Sequence, residues 1–224
     1  MSARPVLIGP SILTADWLHL GEEIHAAERA GVDFLHLDVM DGRFVPNISF
    51  GPLVIEAIRT ATTLPLDVHL MIDEPSRYFT EFIAAGADAL TVHVEGAVHL
   101  HRVISAISAA GLDASVAINP STPLVAIEEI APMVQRVLVM SINPGFGGQT
   151  FLPSALDKIQ RLREMLNRIN PGCEIRVDGG VKAGNIARIA DAGAGSFVIG
   201  SALFSPERAI GEAMAEIRAA LTTG

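Results

Sequence analysis

The sequence predicts an α/β fold in the form of a single (β/α)8 TIM barrel, on three observations. Short apolar runs alternate eight times with segments of helical periodicity. Hydrophobic residues make up 50% of the chain and aromatic residues only 5%, so the apolar side chains are mostly aliphatic, as in buried parallel strands covered by helices. No linker or break in composition interrupts the 224 residues, so we expect residues 1–224 to form one barrel domain.

The first half of the chain predicts four strand–helix units. Strands are expected to begin near Val6, Phe34, Leu66 and Ala89. Helical periodicity follows them at residues 17–30, 53–62, 76–85 and 98–110. In the first helix, Leu18, Ile24 and Ala27 are expected to share one face. Ser76, which follows Pro75, marks the start of the third helix.

The second half repeats the pattern four more times. Strands are expected to begin near Ala114, Arg136, Glu174 and Ser196. Helices are predicted at residues 124–130, 153–167, 183–192 and 206–221. Pro153 and Pro206 suit the first turn of a helix, where a missing N–H costs nothing.

A short Ala-Gly repeat supports this division of the chain. It occurs at residues 30–33, 85–88 and 110–113, with a weaker copy at 192–195, each time between a helical segment and a strand. Glycine at this place suits the left-handed residue just past a helix C-terminus. A doubly wound open sheet is the alternative architecture, but it usually has fewer strands, and the turn Gly9-Pro10-Ser11 lacks the dinucleotide-binding glycine pattern.

Composition limits the possible partners and location. The formal charge is −9 and no basic block is present, which argues against a nucleic-acid or membrane surface. A single cysteine, Cys173, excludes an intrachain disulfide and fits a reducing compartment. Since the sequence also shows no signal-peptide pattern and no apolar run of about 20 residues, we expect a cytoplasmic protein.

Four potential metal ligands fall at the ends of three predicted strands. They are His36 and Asp38 on the second strand, His69 on the third and Asp178 on the seventh. In a (β/α)8 barrel these strand ends meet at the mouth that carries the active site. A lone strand His is more often a hydrogen-bonded core residue and a lone Asp before Gly a turn former, yet four together favour a site. The donor set is compatible with Zn, Fe, Mn or Co.

The other histidines are less informative. His93 ends the fourth strand and could be a fifth ligand, but Glu95 could equally hold it, so we expect a structural or substrate-facing role. The remaining histidines lie in helical segments and are expected at the surface: His19, His25, His99 and His101.

Glycine-rich segments follow the last three predicted strands. They are residues 143–149, Gly179-Gly180 and Gly200-Ser201. Such loops often hold a phosphate in this fold, through backbone N–H groups and a helix N-terminus. None of these segments contains Lys or Arg, so a phosphate would rest on backbone dipoles. Tight turns are the plainer explanation for any one of them.

The chain is poor in candidates for covalent catalysis. Its two lysines are Lys158, in a helical segment, and Lys182, just beyond Gly180; neither lies in a predicted strand. A Schiff-base aldolase, which needs an interior lysine, is therefore disfavoured. A metal beside a phosphate loop suits a small sugar phosphate, and Asp38 and Asp178 could move protons on opposite faces of one carbon.

Long segments resemble the ribulose-phosphate 3-epimerase family over essentially the whole chain. The matching segments are residues 9–13 (GPSIL), 36–47 (HLDVMDGRFVPN), 67–71 (DVHLM), 143–149 (NPGFGGQ) and 177–180 (VDGG). The resemblance implies a barrel of the ribulose-phosphate-binding type that interconverts D-ribulose 5-phosphate and D-xylulose 5-phosphate in the pentose phosphate pathway. It also implies an enediolate, one divalent metal ion per subunit and a homo-oligomer.

The resemblance assigns expected roles to individual residues. His36, Asp38, His69 and Asp178 would bind the metal, with Asp38 and Asp178 also the acid/base catalysts. Met40, Met71 and Met140 would shield the enediolate, although they read equally well as core residues. The substrate would be contacted by Ser11, His69, Gly145, Phe146, Gly147, Gly148, Asp178, Gly179, Gly180, Gly200 and Ser201.

Three other functions stay open from the sequence. A sister 3-epimerase could act on a hexulose phosphate such as D-allulose 6-phosphate, with a similar metal and similar carboxylates. A metal-dependent aldolase or decarboxylase would commonly use a strand-borne lysine, which is missing. A non-catalytic phosphosugar-binding barrel has no evident need for two carboxylates at a metal.

Overall fold

The computed structural model describes residues 5–205 and 207–222, and this part of the chain forms a barrel of eight parallel strands. The strands are β1 (Leu7–Pro10), β2 (Leu35–Met40), β3 (Leu66–Met71), β4 (Ala89–His93), β5 (Asp113–Ile118), β6 (Arg136–Met140), β7 (Glu174–Asp178) and β8 (Ser196–Ile199). Their order is β1-β8-β7-β6-β5-β4-β3-β2, and a single parallel bridge between Ser11 and His36 brings β1 to β2. The predicted fold class is confirmed, with every strand starting within one residue of its predicted position.

Helices connect the strands around the outside of the barrel. They are α1 (Leu20–Arg29), α2 (Pro52–Ala61), α3 (Phe79–Ala84), α4 (Leu100–Ala109), α5 (Ser154–Ile169), α6 (Ala183–Asp191) and α7 (Ile210–Thr222). Short 3₁₀ turns precede α1 at Trp17–His19 and α3 at Pro75–Arg77. Within the described residues, no helix is both long and apolar enough to cross a bilayer.

Three helix predictions need correction. The predicted helix 124–130 is two 3₁₀ turns, Leu124–Ile127 and Ala131–Met133. Pro132, which lacks an N–H, prevents an α-helix from extending past this segment. Leu18 is 90% exposed, since it lies in a separate 3₁₀ turn and is out of phase with the buried face of α1. The last helix begins at Ile210 rather than 206; Pro206 lies outside the described residues.

The glycines of the Ala-Gly repeat adopt the predicted left-handed conformation. Each follows a helix end and lets the chain turn back towards the next strand. Their φ angles are 76° at Gly31, 98° at Gly86, 84° at Gly111 and 112° at Gly193.

An aromatic ring and a buried ion pair fill part of the barrel interior. Phe34 fills space beside Gly9, where an added Cβ would lie only 2.2 Å from the ring. The Arg176 guanidinium stacks 3.7 Å from the centre of that ring and is paired with Asp67. Both charged residues are at most 2% exposed, and each also has a second charged neighbour: Glu174 lies 3.2 Å from Arg176, and Arg136 lies 3.8 Å from Asp67. Partners of opposite charge offset the cost of burying these groups.

The strand register brings the predicted site residues to one mouth of the barrel. Asp38 on β2 pairs with His69 on β3, and Met140 on β6 pairs with Asp178 on β7. Because all strands are parallel, the C-terminal ends of β2, β3 and β7 lie on the same side of the barrel. The fold therefore supplies the convergence that the sequence pattern predicts.

Candidate active site

Four side chains meet at the barrel mouth and could hold a metal ion: His36, Asp38, His69 and Asp178. Their potential ligand atoms all lie within 4.8 Å of one another. Oδ1 of Asp38 is 2.9 Å from Nδ1 of His69 and 3.2 Å from Nε2 of His36. Oδ2 of Asp178 lies 4.0 Å from each of these two nitrogens. The structure thus brings the four predicted ligands together.

The donor set suits a divalent cation of intermediate softness. Two imidazole nitrogens and two carboxylates are the mixture that Zn²⁺, Fe²⁺, Mn²⁺ and Co²⁺ accept. The histidine side chains are 0% exposed and the aspartate side chains 5% and 14%. Two buried carboxylates this close repel each other, and a cation between them would remove that cost.

The ring of His36 is fixed by a charged partner on the next strand. Its Nδ1 lies 2.8 Å from Oδ2 of Asp67, which also accepts a hydrogen bond from Arg176. This pairing turns Nε2 of His36 towards the cluster of candidate ligands. Sequence reasoning missed the roles of Asp67 and Arg176, because a one-dimensional pattern does not show that they meet across the barrel.

The ring of His69 is fixed by a different partner. Its Nε2 lies 2.9 Å from Nε2 of His93, whose Nδ1 is 3.0 Å from Oε2 of Glu95. His93 is not among the cavity-lining residues, so of its two predicted roles the structure favours the structural one. The predicted surface histidines are all exposed: His19, His25, His99 and His101.

Burial and neighbouring charges shift the pKa values of the four side chains in different directions. Burial opposes the charge of His36, but Asp38 and Asp67 outweigh it and raise the pKa of His36 to about 10. His36 in turn holds the pKa of Asp38 well below its usual range despite burial. Burial lowers the pKa of His69 to about 4. Burial and the negative charge of Asp38 raise the pKa of Asp178 to about 7.

A cavity opens above this cluster and contains about 560 Å³ of empty space, including its open mouth. Except for the fully buried His69, all the residues predicted to contact substrate line it, as do Met40, Met71 and Met140. No Lys or Arg is among the described residues of the lining, so the lining offers a phosphate no cationic side chain. The lining also includes Leu13, Thr14, Ile142, Pro144, Gln149, Val181 and Val198.

The Gly179-Gly180 turn can only be made by glycine. Both residues have positive φ angles, 116° and 64°. A Cβ on Gly180 would lie 2.4 Å from the backbone nitrogen of Phe151, and one on Gly179 would lie 2.4 Å from the Ile142 side chain. The turn after β7 therefore packs directly against the chain that follows β6, and residues of both segments line the cavity.

Side-chain hydrogen bonds hold the cavity loops, and sequence reasoning missed these roles. Asn47 Nδ2 donates to the carbonyl of Gly145 at 2.8 Å and ties the loop after β2 to the loop after β6. Gln149 Nε2 donates to the carbonyls of Asn143 and Phe146 within its own loop. Asn47 and Gln149 are the last residues of two segments that resemble the family. The resemblance therefore marked both positions, but it did not indicate that their side chains hold the loops.

Comparison with known proteins decides the family. Residues 7–204 match the sequence profile described as the ribulose-phosphate 3 epimerase family. The chain belongs to the ribulose-phosphate 3-epimerase family. It is 48% identical over 218 residues to a ribulose-phosphate 3-epimerase of Synechocystis, covering 96% of this chain and 94% of that one. It is 44% identical to the Escherichia coli K12 protein of that name, covering 90% of each.

A chloroplastic ribulose-5-phosphate-3-epimerase of Arabidopsis thaliana is 51% identical over 205 residues, which cover 91% of this chain and 73% of the plant protein. Among solved structures, 3-hexulose-6-phosphate synthase superimposes with a TM-score of 0.71 at 19% identity, covering 96% of this chain and 99% of that one. At that identity the likeness shows only the shared barrel fold. The family assignment therefore comes from the sequence matches, and the structural neighbour adds the architecture.

Proposed function

We propose that this chain is an isomerase that interconverts D-ribulose 5-phosphate and D-xylulose 5-phosphate by inverting carbon 3, with one divalent metal ion as cofactor. The observation that carries the proposal is the pair Asp38 and Asp178, which lies at the floor of the cavity in a chain of this family. Their pKa values are displaced in opposite directions, which is the pattern expected of a base and an acid in one reaction.

The metal would be held by His36, Asp38, His69 and Asp178. When bound, the ion supplies positive charge that stabilises an oxygen on which negative charge develops. The donor set does not choose among Zn, Fe, Mn and Co. His36 and His69 would then be neutral ligands, so that neither of them offsets the charge of the ion.

The two aspartates would move the proton. Asp38, ionised, removes the proton of carbon 3 from one face of the substrate, which leaves an enediolate. Asp178, protonated, returns a proton to the other face, because it reaches the cavity from the far strand β7. In the reverse direction the two residues exchange roles. Ser11 donates a hydrogen bond of 2.5 Å to Oδ2 of Asp38 and keeps that carboxylate facing the cavity.

The remaining lining residues would bind and shield the substrate. Ser11 would contact its sugar end, and Met40, Met71 and Met140 would exclude water from the reacting carbon. His69, which was also predicted to contact the substrate, is fully buried and would act through the metal alone. The glycine segments would receive the phosphate through backbone N–H groups. These are residues Gly145, Phe146, Gly147 and Gly148, then Gly179 and Gly180, then Gly200 and Ser201.

Proton exchange with solvent tests the reaction directly. Purified protein incubated with D-ribulose 5-phosphate in D2O is expected to place deuterium at carbon 3, detected by NMR or mass spectrometry. Full interconversion with no label at carbon 3 would contradict proton transfer by the aspartates. Turnover of D-allulose 6-phosphate, measured alongside, tests the hexulose alternative, because a higher kcat/KM on that substrate would replace the pentulose assignment.

A further inference from the structure

The proposed ligand His69 has both of its ring nitrogens engaged. Nδ1 faces the ligand cluster, 2.9 Å from Oδ1 of Asp38 and 3.3 Å from Nε2 of His36. Nε2 lies 2.9 Å from Nε2 of His93, at hydrogen-bond distance. The two rings are stacked, with centres 5.0 Å apart, and both residues are at most 1% exposed. Water therefore has little access to the bond between them.

Metal binding fixes where the protons of this pair must lie. A ring nitrogen that binds a cation offers a lone pair, so with Nδ1 of His69 on the metal its proton is on Nε2. Nε2 of His93 must then be the acceptor, because one proton serves the bond. The proton of a neutral His93 consequently lies on Nδ1, which is 3.0 Å from Oε2 of Glu95.

Glu95 is the last member of this series of hydrogen bonds and accepts as a charged carboxylate. Its Oε1 accepts hydrogen bonds from the backbone N–H of Asn119, at 2.8 Å, and from the hydroxyl of Thr122. Although partial burial opposes its charge, the hydrogen bonds from His93, Thr122 and Asn119 lower the pKa of Glu95 to about 2. A carboxylate can only accept, so Glu95 gives the sequence of hydrogen bonds one direction.

The loop that holds Glu95 is itself anchored by one of the two lysines. Nζ of Lys158, on α5, donates to the carbonyl oxygens of Asn119, Pro120 and Thr122 at 2.9, 2.6 and 2.8 Å. Lys158 is 8% exposed, and all three N–H donors of its ammonium group bond to this loop. Through this loop, the Glu95 end of the hydrogen-bond series is fixed to helix α5 in the outer layer.

We infer that His93 and Glu95 are positioning residues, which lock His69 in the tautomer whose Nδ1 is free to bind the metal. The inference rests on the proposed function only in placing a cation among the four ligands. His36 is held directly by the carboxylate of Asp67, whereas His69 is held through the imidazole ring of His93. Without His93, the proton of His69 can move to Nδ1 and block the ligand atom.

Metal affinity tests the chain of hydrogen bonds. The probe is Co²⁺, added to metal-free protein and followed by its visible absorption. His93→Phe removes the acceptor and is expected to weaken Co²⁺ binding about 10- to 100-fold. His93→Gln keeps an acceptor oxygen and is expected to recover most of the affinity. Glu95→Gln is expected to weaken binding about 10-fold, whereas Glu129→Gln, the same change at an exposed site, leaves it unchanged.

The wild-type protein provides a test that needs no variant to fold. In Zn²⁺-loaded protein with ¹⁵N-labelled histidine, NMR is expected to show His69 protonated on Nε2 and His93 on Nδ1. A proton on Nε2 of His93, or unchanged Co²⁺ affinity in folded His93→Phe, overturns the inference. Failure of the wild-type protein to epimerise the pentulose phosphate would instead overturn the proposed function, because neither measurement here depends on turnover.

Discussion

Replacing Asp178 by Asn should stabilise the metal-free protein, and by an amount that grows with pH. In the folded protein, burial and Asp38 raise the pKa of Asp178 from 3.8 to about 7. As pH rises from about 4, the unfolded chain loses this proton while the folded chain keeps it, so the free energy of unfolding falls until about pH 7. Asparagine has no such titration, and the variant avoids the loss.

The magnitude follows from the same displacement. One pKa unit corresponds to about 1.4 kcal/mol, so the wild-type carboxyl lowers the free energy of unfolding by up to about 4 kcal/mol above pH 7. The side chain is 14% exposed, and relaxation around it reduces the effect further. We expect the gain from Asp178→Asn, relative to wild type, to rise by about 1–3 kcal/mol between pH 5 and pH 8.5.

Urea denaturation in EDTA, repeated across this pH range, measures the difference between the two proteins. Asp191→Asn, an exposed change at the end of α6, is the matched control and should show no such trend. Excess Zn²⁺ should shrink the difference, because the wild type binds the ion more tightly and gains about 2.7 kcal/mol at 100 times its Kd. A difference that is constant or shrinks as pH rises would refute the pKa argument, and near-normal turnover by the variant would remove Asp178 from catalysis.

Three further predictions follow from the site and its support. Gly180→Ala should destabilise the fold by about 1–3 kcal/mol and raise KM, since its φ is 64° and its Cβ would lie 2.4 Å from a backbone nitrogen; Gly184→Ala, with open space, should not. Asp67→Asn should cost about 2–4 kcal/mol in urea denaturation, because the buried Arg176 loses its buried carboxylate and keeps only Glu174 as an acidic partner; a loss below 1 kcal/mol would contradict this. Zn²⁺ binding at pH 8 should release about one proton from His36, so calorimetric enthalpies should vary with the buffer's ionisation enthalpy.

The sequence predicted the barrel well because each of its elements has a local signal. Parallel strands buried on both faces read as aliphatic runs, and a glycine such as Gly31 marks where a helix must end. The prediction at 124–130 was wrong because helical periodicity does not separate an α-helix from two short 3₁₀ turns. Leu18 was misplaced for a related reason, since periodicity cannot separate a 3₁₀ turn from the helix that follows.

The candidate site was predictable only in part. Four ligands at strand ends could be expected to meet, because the fold itself brings those ends together. The groups that orient them could not be found in this way. Asp67 reaches His36 from the neighbouring strand, and Arg176 reaches Asp67 from across the barrel, 109 residues along the chain. Such contacts depend on side-chain length and direction inside the barrel, which a one-dimensional pattern does not contain.

The buried pair of Asp67 and Arg176 is better explained by the site than by stability. Replacing a buried ion pair with apolar residues of similar size is often neutral or stabilising, so a barrel core gains little from one. Here the carboxylate lies 2.8 Å from Nδ1 of His36 and aims Nε2 at the ligand cluster. The guanidinium keeps that carboxylate ionised, and the ring of Phe34 covers the guanidinium. If this is the reason for the pair, Asp67→Leu combined with Arg176→Met should retain the free energy of unfolding within about 2 kcal/mol yet weaken metal binding about 10- to 100-fold. Unchanged Co²⁺ affinity in that folded double variant would leave the pair without a role at the site.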